Sequence, residues 1–136
     1  MVKQRSLVTS IDTIAVVVSN RRRALEWYRD VLGLEEAFVP RDSAFPGGVG
    51  HWIEIGPGRP LTRLHICEVS KKWGIPGLTG ITFLTSDIKR AYRTLKRRGV
   101  QFKSKPTKME WGEWLCAFVD PDGNEFDLKQ PVEPEK

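Results

Sequence analysis

Cysteine is scarce in this sequence, and long apolar runs are missing from it. Two cysteines among 136 residues, Cys67 and Cys116, cannot form a disulfide framework and have no C-x-x-C spacing. Both lie in stretches that resemble strands, so we expect buried, unreactive thiols in a reduced, cytoplasmic chain. No apolar run approaches the ~20 residues that span a bilayer, and residues 1–10 lack the apolar centre of a signal peptide. We therefore expect no membrane partner.

Several common functional signatures are also absent. The chain contains no Walker A loop, no G-x-G-x-x-G and no G-x-S-x-G, which argues against the commonest nucleotide-binding and serine-hydrolase classes. Its net charge of +5 is a mild excess. The basic runs Arg21–Arg23 and Lys96–Arg98 are not interleaved with aromatic residues, as a nucleic-acid surface would require. We expect solvated helix faces and no nucleic-acid partner; a basic interaction module remains the second alternative function.

The first half of the chain reads as one strand, one helix and three strands. Residues 11–19 are rich in β-branched side chains and predict a buried strand. Asn20 is suited to cap the following helix, whose apolar residues recur at helical spacing, and Gly33 is suited to end it. Three more strands are predicted over residues 36–39, 51–55 and 61–69.

The second half repeats this pattern. A strand over residues 80–85 leads to a helix that Asp87 caps and Gly99 ends. Further strands are predicted over residues 100–102, 114–119 and 125–129. The last two are joined by the turn Asp120–Asn124, in which Gly123 is free to take a positive φ.

The repeat defines the expected architecture. We predict an α+β fold of two tandem β-α-β-β-β modules, over residues 10–69 and 79–130, within one domain that spans residues 1–136. Residues 69–78 form the linker. Four strands and one helix cannot bury both faces of a sheet, so the halves need each other or a second chain.

Two segments resemble a known family. The helix Ala24–Leu34, with its Trp-Tyr pair and Leu-Gly-Leu end, is similar to the first helix of the vicinal oxygen chelate superfamily. Trp111-Gly112 followed by Asp120–Leu128 is similar to that superfamily's C-terminal signature. The family includes glyoxalase I, extradiol dioxygenases and bleomycin-resistance proteins. The resemblance covers residues 10–130 and implies a cupped mixed sheet with helices outside, completed in a homodimer.

The resemblance also implies four metal-ligand positions on the wall of the cup. They fall on Thr13, His65, Ile81 and Asp127. Threonine and isoleucine are wrong for a transition metal, and His65 with Asp127 gives fewer ligands than a catalytic zinc or a non-haem iron site. We therefore expect no metal and no other cofactor, with a weakly held divalent ion as the alternative.

The candidate site is a set of substrate-binding residues on that wall, and no catalytic residue is assigned. His65 and Asp127 form the polar pair, Thr13 lies nearby, and Trp111 is placed to stack on a flat ligand. The alternative is a purely structural role for each. His51 and Glu54 have the i, i+3 spacing of a helical metal pair, but a strand is expected there, and its register stays open.

The leading hypothesis is therefore the binding of a small aromatic or hydroxylated organic molecule in the cup, without metal. The alternative is a divalent-metal-dependent lyase or dioxygenase of the glyoxalase or extradiol dioxygenase type, in which His65 and Asp127 hold the ion.

Overall fold

The computed structural model describes residues 6–38, 53–58 and 61–132. Their helical elements are α1 (Arg21–Glu26), which continues as a π-helical segment (Trp27–Val31), and α2 (Ile88–Arg97). The strands are β1 (Thr13–Val18), β2 (Glu35–Phe38), β3 (Ile53–Gly56), β4 (Arg63–Glu68), β5 (Leu78–Leu84), β6 (Gln101–Phe102), β7 (Thr107–Lys108), β8 (Trp114–Val119) and β9 (Glu125–Gln130).

The strands form two sheets of the same topology. The first has the order β1-β4-β3-β2, and the second has the order β5-β9-β8-β6, with the short β7 also paired to β8. In both sheets the first strand of the module lies parallel to its last strand, and the other pairings are antiparallel. The predicted α+β fold of two β-α-β-β-β modules is confirmed. Strand β7 and the π-helical segment were not predicted.

The helix ends follow the predicted local signals. The side chains of Asn20 and Asp87 accept hydrogen bonds from the backbone N–H three residues ahead, at 3.0 and 3.1 Å. Gly33 and Gly99, which follow the helices, have φ values of 90° and 102°. Residues with a Cβ are strained in that left-handed region, so glycine is the natural helix end.

Both modules contribute to one core. Alternate residues of the strands point to the helices and are buried, among them Val16 in β1, Ile66 in β4 and Phe118 in β8. Phe118 stacks on Phe126 of β9 with ring centroids 5.5 Å apart, and Tyr28 of the π-helical segment meets Phe126 edge-on at 6.1 Å. An aromatic side chain of the first module therefore packs into the second module.

A buried polar network reinforces this contact. The Tyr28 hydroxyl donates to Asp120 Oδ2 at 2.6 Å. Asn124 Nδ2 donates to the Val17 carbonyl at 2.7 Å, and the Gly77 N–H donates to Asn124 Oδ1 at 3.0 Å. Burial and the neighbouring Asp120 carboxylate raise the pKa of Tyr28, so its hydroxyl stays protonated. The turn at Asp120–Asn124 is thus a joint between the modules.

Within these described segments, neither helical region combines the length and the apolarity needed to cross a bilayer.

Candidate functional site

Each sheet has one face against the helices and one face turned away from them, which we call its cup face. Side chains alternate along a strand, so the residues between the core positions lie on the cup face. The first cup face carries Thr13, Ala15, Glu54, Arg63, His65 and Cys67. The second carries Thr82, Leu84, Leu115, Ala117, Asp127 and Lys129.

His65 is the central side chain of the first cup face. It lies in β4, opposite Ala15 on one side and Glu54 on the other, and is only 6% exposed. Its Nδ1 is 3.5 Å from the Cys67 sulfur, and its ring meets the Trp73 ring at right angles with centroids 5.3 Å apart. Burial lowers the pKa of His65, against the opposing charge of Glu54. The imidazole is therefore neutral at pH 7, with one nitrogen that donates and one that accepts.

A charged cluster lies beside this imidazole. Arg63 Nε donates to Glu54 Oε1 at 2.7 Å, and Arg63 Nη2 donates to Asp12 Oδ1 at 2.7 Å. The hydrogen bonds with Glu54 and Asp12 raise the pKa of Arg63 against the opposing effect of its desolvation. Thr13 pairs with Arg63 in the sheet, so it borders the same cluster. A permanent cation thus lies two residues from His65.

The connection after β4, residues 69–77, which we call the strap, brings Trp73 to His65. The Gly74 N–H donates to the Ser70 carbonyl at 2.7 Å, and the Trp73 N–H donates to Ser70 Oγ at 3.1 Å. Lys72 Nζ lies 5.2 Å from the centre of the Trp73 ring. These contacts hold the indole in place, with 37% of Trp73 exposed.

The second cup face is more open. Asp127 is exposed, pairs with Thr82 across the sheet, and forms no side-chain hydrogen bond or ion pair with the part of the chain that the structure describes. Trp111 Nε1 donates to Glu113 Oε1 at 2.7 Å, and Glu113 Oε2 is 3.1 Å from Lys129 Nζ. Lys129 lies on the same face as Asp127, so this chain of contacts tethers Trp111 at the edge of the face.

His65 and Asp127 occupy equivalent positions in the two sheets. His65 pairs with Ala15 of the parallel strand β1, and Asp127 pairs with Thr82 of the parallel strand β5. Both lie in the last strand of their module, as the repeat predicted. Their surroundings differ: His65 is enclosed and Asp127 is exposed. The two side chains therefore stand on separate sheets and do not form one compact pair.

The assignment of Ile81 as a ligand position was wrong. Ile81 packs against the core cluster, on the helix side of its sheet. The pairing of β5 with β9 shifts register between Leu78 and Thr82, so the spacing seen in β1 does not transfer residue by residue to this part of β5. The side chain of Ile81 therefore lies on the core side of the sheet and not on the cup face.

The tryptophans divide between core and cup. Trp27 and Trp114 pack against the core cluster, whereas Trp73 lies over the first cup face and Trp111, 63% exposed, stands beside the second. Trp52 and His51 lie outside the described residues. The strand register around His51 and Glu54 therefore stays open. Trp73 was not singled out from sequence; the usable signal was an aromatic residue in a linker of glycine and proline.

The described residues do not fit the metal site that the family resemblance implies. Among residues 6–38, 53–58 and 61–132, no three His, Cys, Asp or Glu side chains come together as a ligand group. Thr13 offers a neutral hydroxyl, and Ile81 has an apolar side chain that packs against the core. Glu54, which lies opposite His65, already binds Arg63 at 2.7 Å. The Arg63 guanidinium would also repel a divalent cation at this position.

The chain was compared with families and curated proteins. A family model described as the Glyoxalase/Bleomycin resistance protein/Dioxygenase superfamily matches residues 10–128. The uncharacterized protein YetH of Bacillus subtilis (strain 168) is 31% identical over 125 residues, which cover 91% of this chain and all of YetH.

Solved structures agree with this match. A member of the glyoxalase/bleomycin resistance protein/dioxygenase superfamily from Sphaerobacter thermophilus superimposes with a TM-score of 0.79 at 31% identity, covering 93% of this chain and 100% of that one. TnmS3, an antibiotic binding protein from Streptomyces sp. CB03234, gives a TM-score of 0.78 at 25% identity, covering 94% of this chain and 100% of that one.

Proposed function

The chain belongs to the glyoxalase/bleomycin resistance protein/dioxygenase superfamily, and we propose that it binds a small aromatic or hydroxylated organic molecule at its cup faces without a metal. One observation carries this proposal. On the first cup face a neutral, buried imidazole lies against an indole ring, and at the equivalent position of the second face stands an exposed carboxylate that no described side chain pairs.

These groups suit a flat molecule with hydroxyl or carbonyl substituents. The indoles of Trp73 and Trp111 offer apolar ring surface for stacking. Neutral His65 donates a hydrogen bond to a carbonyl or accepts one from a phenol, and Asp127 accepts from a second hydroxyl.

The similarity to TnmS3 supports binding as the function class. That protein is described as antibiotic binding, and the two chains superimpose over nearly their whole lengths. Binding needs shape and a few polar contacts, which the cup faces offer. A metal-dependent reaction needs a ligand set that the described residues lack.

Ligand titration followed by tryptophan fluorescence tests the proposal. Hydroxylated aromatic compounds are titrated into the protein and into the variants His65→Ala and Asp127→Asn, with Arg93→Ala on the exposed side of α2 as the matched control. We expect His65→Ala to weaken binding by about fivefold, or about 1 kcal/mol, for one lost hydrogen bond. Equal affinity in His65→Ala and the control would contradict the site.

We also propose that a second copy completes the cup. The second face exposes Leu84, Leu78 at the other end of β5 is exposed as well, and the family resemblance implies a homodimer. Sedimentation is expected to show twice the 15.5 kDa chain mass. A monomer at high micromolar concentration would contradict this assembly.

Metal analysis distinguishes binding from metal-dependent catalysis. After dialysis we expect no stoichiometric Zn²⁺, Ni²⁺, Mn²⁺ or Fe²⁺, and no lactoylglutathione formation when these ions are added back. One tightly held ion per chain, lost together with turnover in His65→Ala, would favour the lyase or dioxygenase alternative instead.

A further inference from the structure

A cavity of about 410 Å³ lies between the modules on the helix side of the second sheet, and Leu84 at the end of β5 also lines it. Phe83, Phe118 and Leu128 form its floor, and Leu32 and Leu34 from the end of the first helical region form one wall. The volume is within the range of about 300–1,000 Å³ that is typical of small-molecule sites. Its floor and this wall are entirely apolar.

The opposite rim of the cavity is polar and belongs to α2 and the residues before it. Ser86, Arg90 and Thr94 line it. The guanidinium of Arg90 forms no ion pair with the residues that the structure describes. Asp87 also lies on this rim, but it caps the helix, and its Oδ1 accepts from the Arg90 backbone N–H at 3.1 Å. The rim therefore presents the Arg90 cation, hydroxyl groups, and the Asp87 carboxylate that caps the helix.

The charge of the whole molecule is concentrated at this helix. Residues Ile88–Arg98 contain six lysines and arginines and no acidic residue. The remaining residues carry 16 Lys and Arg against 17 Asp and Glu, so the net positive charge of the chain comes from this one segment. Its positive potential favours an anion at the mouth of the cavity.

We propose that this cavity is a second small-molecule site, which binds an apolar organic acid. The rings or alkyl chain of the ligand lie on Phe83, Phe118 and Leu128, and its single carboxylate or sulfonate group meets Arg90. A neutral apolar molecule leaves Arg90 without a partner, and a polyanion cannot place its further charges on the apolar floor. An acid with one charged end satisfies both surfaces.

Paired fluorescent probes test this assignment. Anilinonaphthalene sulfonate supplies rings and an anion, and phenylnaphthylamine supplies the same rings without the anion. We expect Arg90→Gln to weaken sulfonate binding by about tenfold and to change the affinity for the neutral amine by less than about twofold. The matched control is Arg93→Gln, which removes the same charge from the same helix at a residue that does not line the cavity; it is expected to change neither probe.

One further variant locates the probes. Thr94→Phe places a ring in the cavity and is expected to weaken both probes by about tenfold or more, with an unchanged melting temperature as the control for folding. Equal losses in Arg90→Gln and Arg93→Gln would show general attraction to the basic helix and overturn the site. Full affinity for both probes in Thr94→Phe would overturn it as well.

Discussion

The two cup faces stand on sheets of identical strand order, yet they differ in burial and in charge. On the first, the last strand holds His65, enclosed beneath Trp73 and next to the ion pair of Arg63 and Glu54. On the second, the equivalent strand holds Asp127, which is exposed. The backbone repeat therefore sets where a side chain stands, but not how much water reaches it.

The difference comes from the segment of chain after each last strand. After β4 the chain forms the strap, whose backbone bonds at Ser70 and Gly74 set Trp73 against His65. After β9 the described residues 131 and 132 are exposed. A connection outside the repeat thus encloses His65, one of the two equivalent positions. Symmetry of fold does not imply symmetry of site.

The largest loss of stability is expected at the Asp120–Asn124 turn, where the second module is hydrogen-bonded to the first. Asn124→Ala removes side-chain hydrogen bonds to Val17, Gly77 and Asp120, all at 2.7–3.0 Å, and should lower the free energy of unfolding by about 3 kcal/mol. Asn20→Ala, which removes an exposed helix cap, is the matched control and should cost about 1 kcal/mol. Denaturant unfolding measures both. Equal costs would mean that the turn is not a joint.

A smaller loss is expected from the same turn through its backbone. Gly123 has φ of 85°, so Gly123→Val should cost about 1–2 kcal/mol, because a β-branched residue is strained there. Gly77→Val in the strap is the matched control and should cost less stability than Gly123→Val. The φ of Gly77 lies outside the left-handed region, and a Cβ there would meet open space. An unchanged melting temperature for Gly123→Val would contradict the assigned turn.

Acid is expected to lower the free energy of unfolding through His65 on the first cup face. Burial lowers the pKa of His65 in the folded state, so the unfolded chain takes up this proton first as the pH falls through about 6.5. The contribution of His65 is complete above that pH and is lost below it, at no more than about 1.4 kcal/mol per pH unit for one proton. Unfolding is measured from pH 7.5 to 5 in a His51→Gln background, where His65 is the remaining histidine. If His65→Gln in this background leaves the slope unchanged, the imidazole is not enclosed.

The smallest change in stability is expected on the second cup face. Glu113→Gln breaks a partly exposed contact to Lys129 and should change the melting temperature little, because ion pairs that solvent reaches contribute little. It should nevertheless loosen Trp111 and make its fluorescence easier to quench by acrylamide. Glu54→Gln, which breaks the more enclosed pair with Arg63, should lower the melting temperature more. A larger fall in melting temperature for Glu113→Gln than for Glu54→Gln would contradict the difference in burial between the two faces.

Local features of the fold could be predicted because their causes lie within a few residues. The caps at Asn20 and Asp87 and the glycine ends at Gly33 and Gly99 depend on neighbouring backbone groups alone. Strand β7 has two residues, too few for an alternating pattern to be visible. The succession of strands and helices along the chain followed from the repeat of these local signals.

The site was predictable only in part, because it depends on contacts between distant residues. His65 and Asp127 could be matched through the repeat, but the register shift beside Ile81, between Leu78 and Thr82, arises only in the pairing of β5 with β9. The contact of Trp73 with His65 requires the path of the strap. Likewise, the hydrogen bond from Tyr28 to Asp120 joins residues 92 positions apart, and no local sequence pattern predicts it.

The joint between the modules has a consequence for the chain as two fragments. A cut in the exposed strap would leave Tyr28 and the Val17 carbonyl on one piece and Asp120 with Asn124 on the other. Each piece alone would carry half of a buried polar network without its partners, which disfavours its folding. Mixed together, the pieces would satisfy each other's groups and bury the shared aromatic cluster, so the protein is suited to reassembly from two separately made halves.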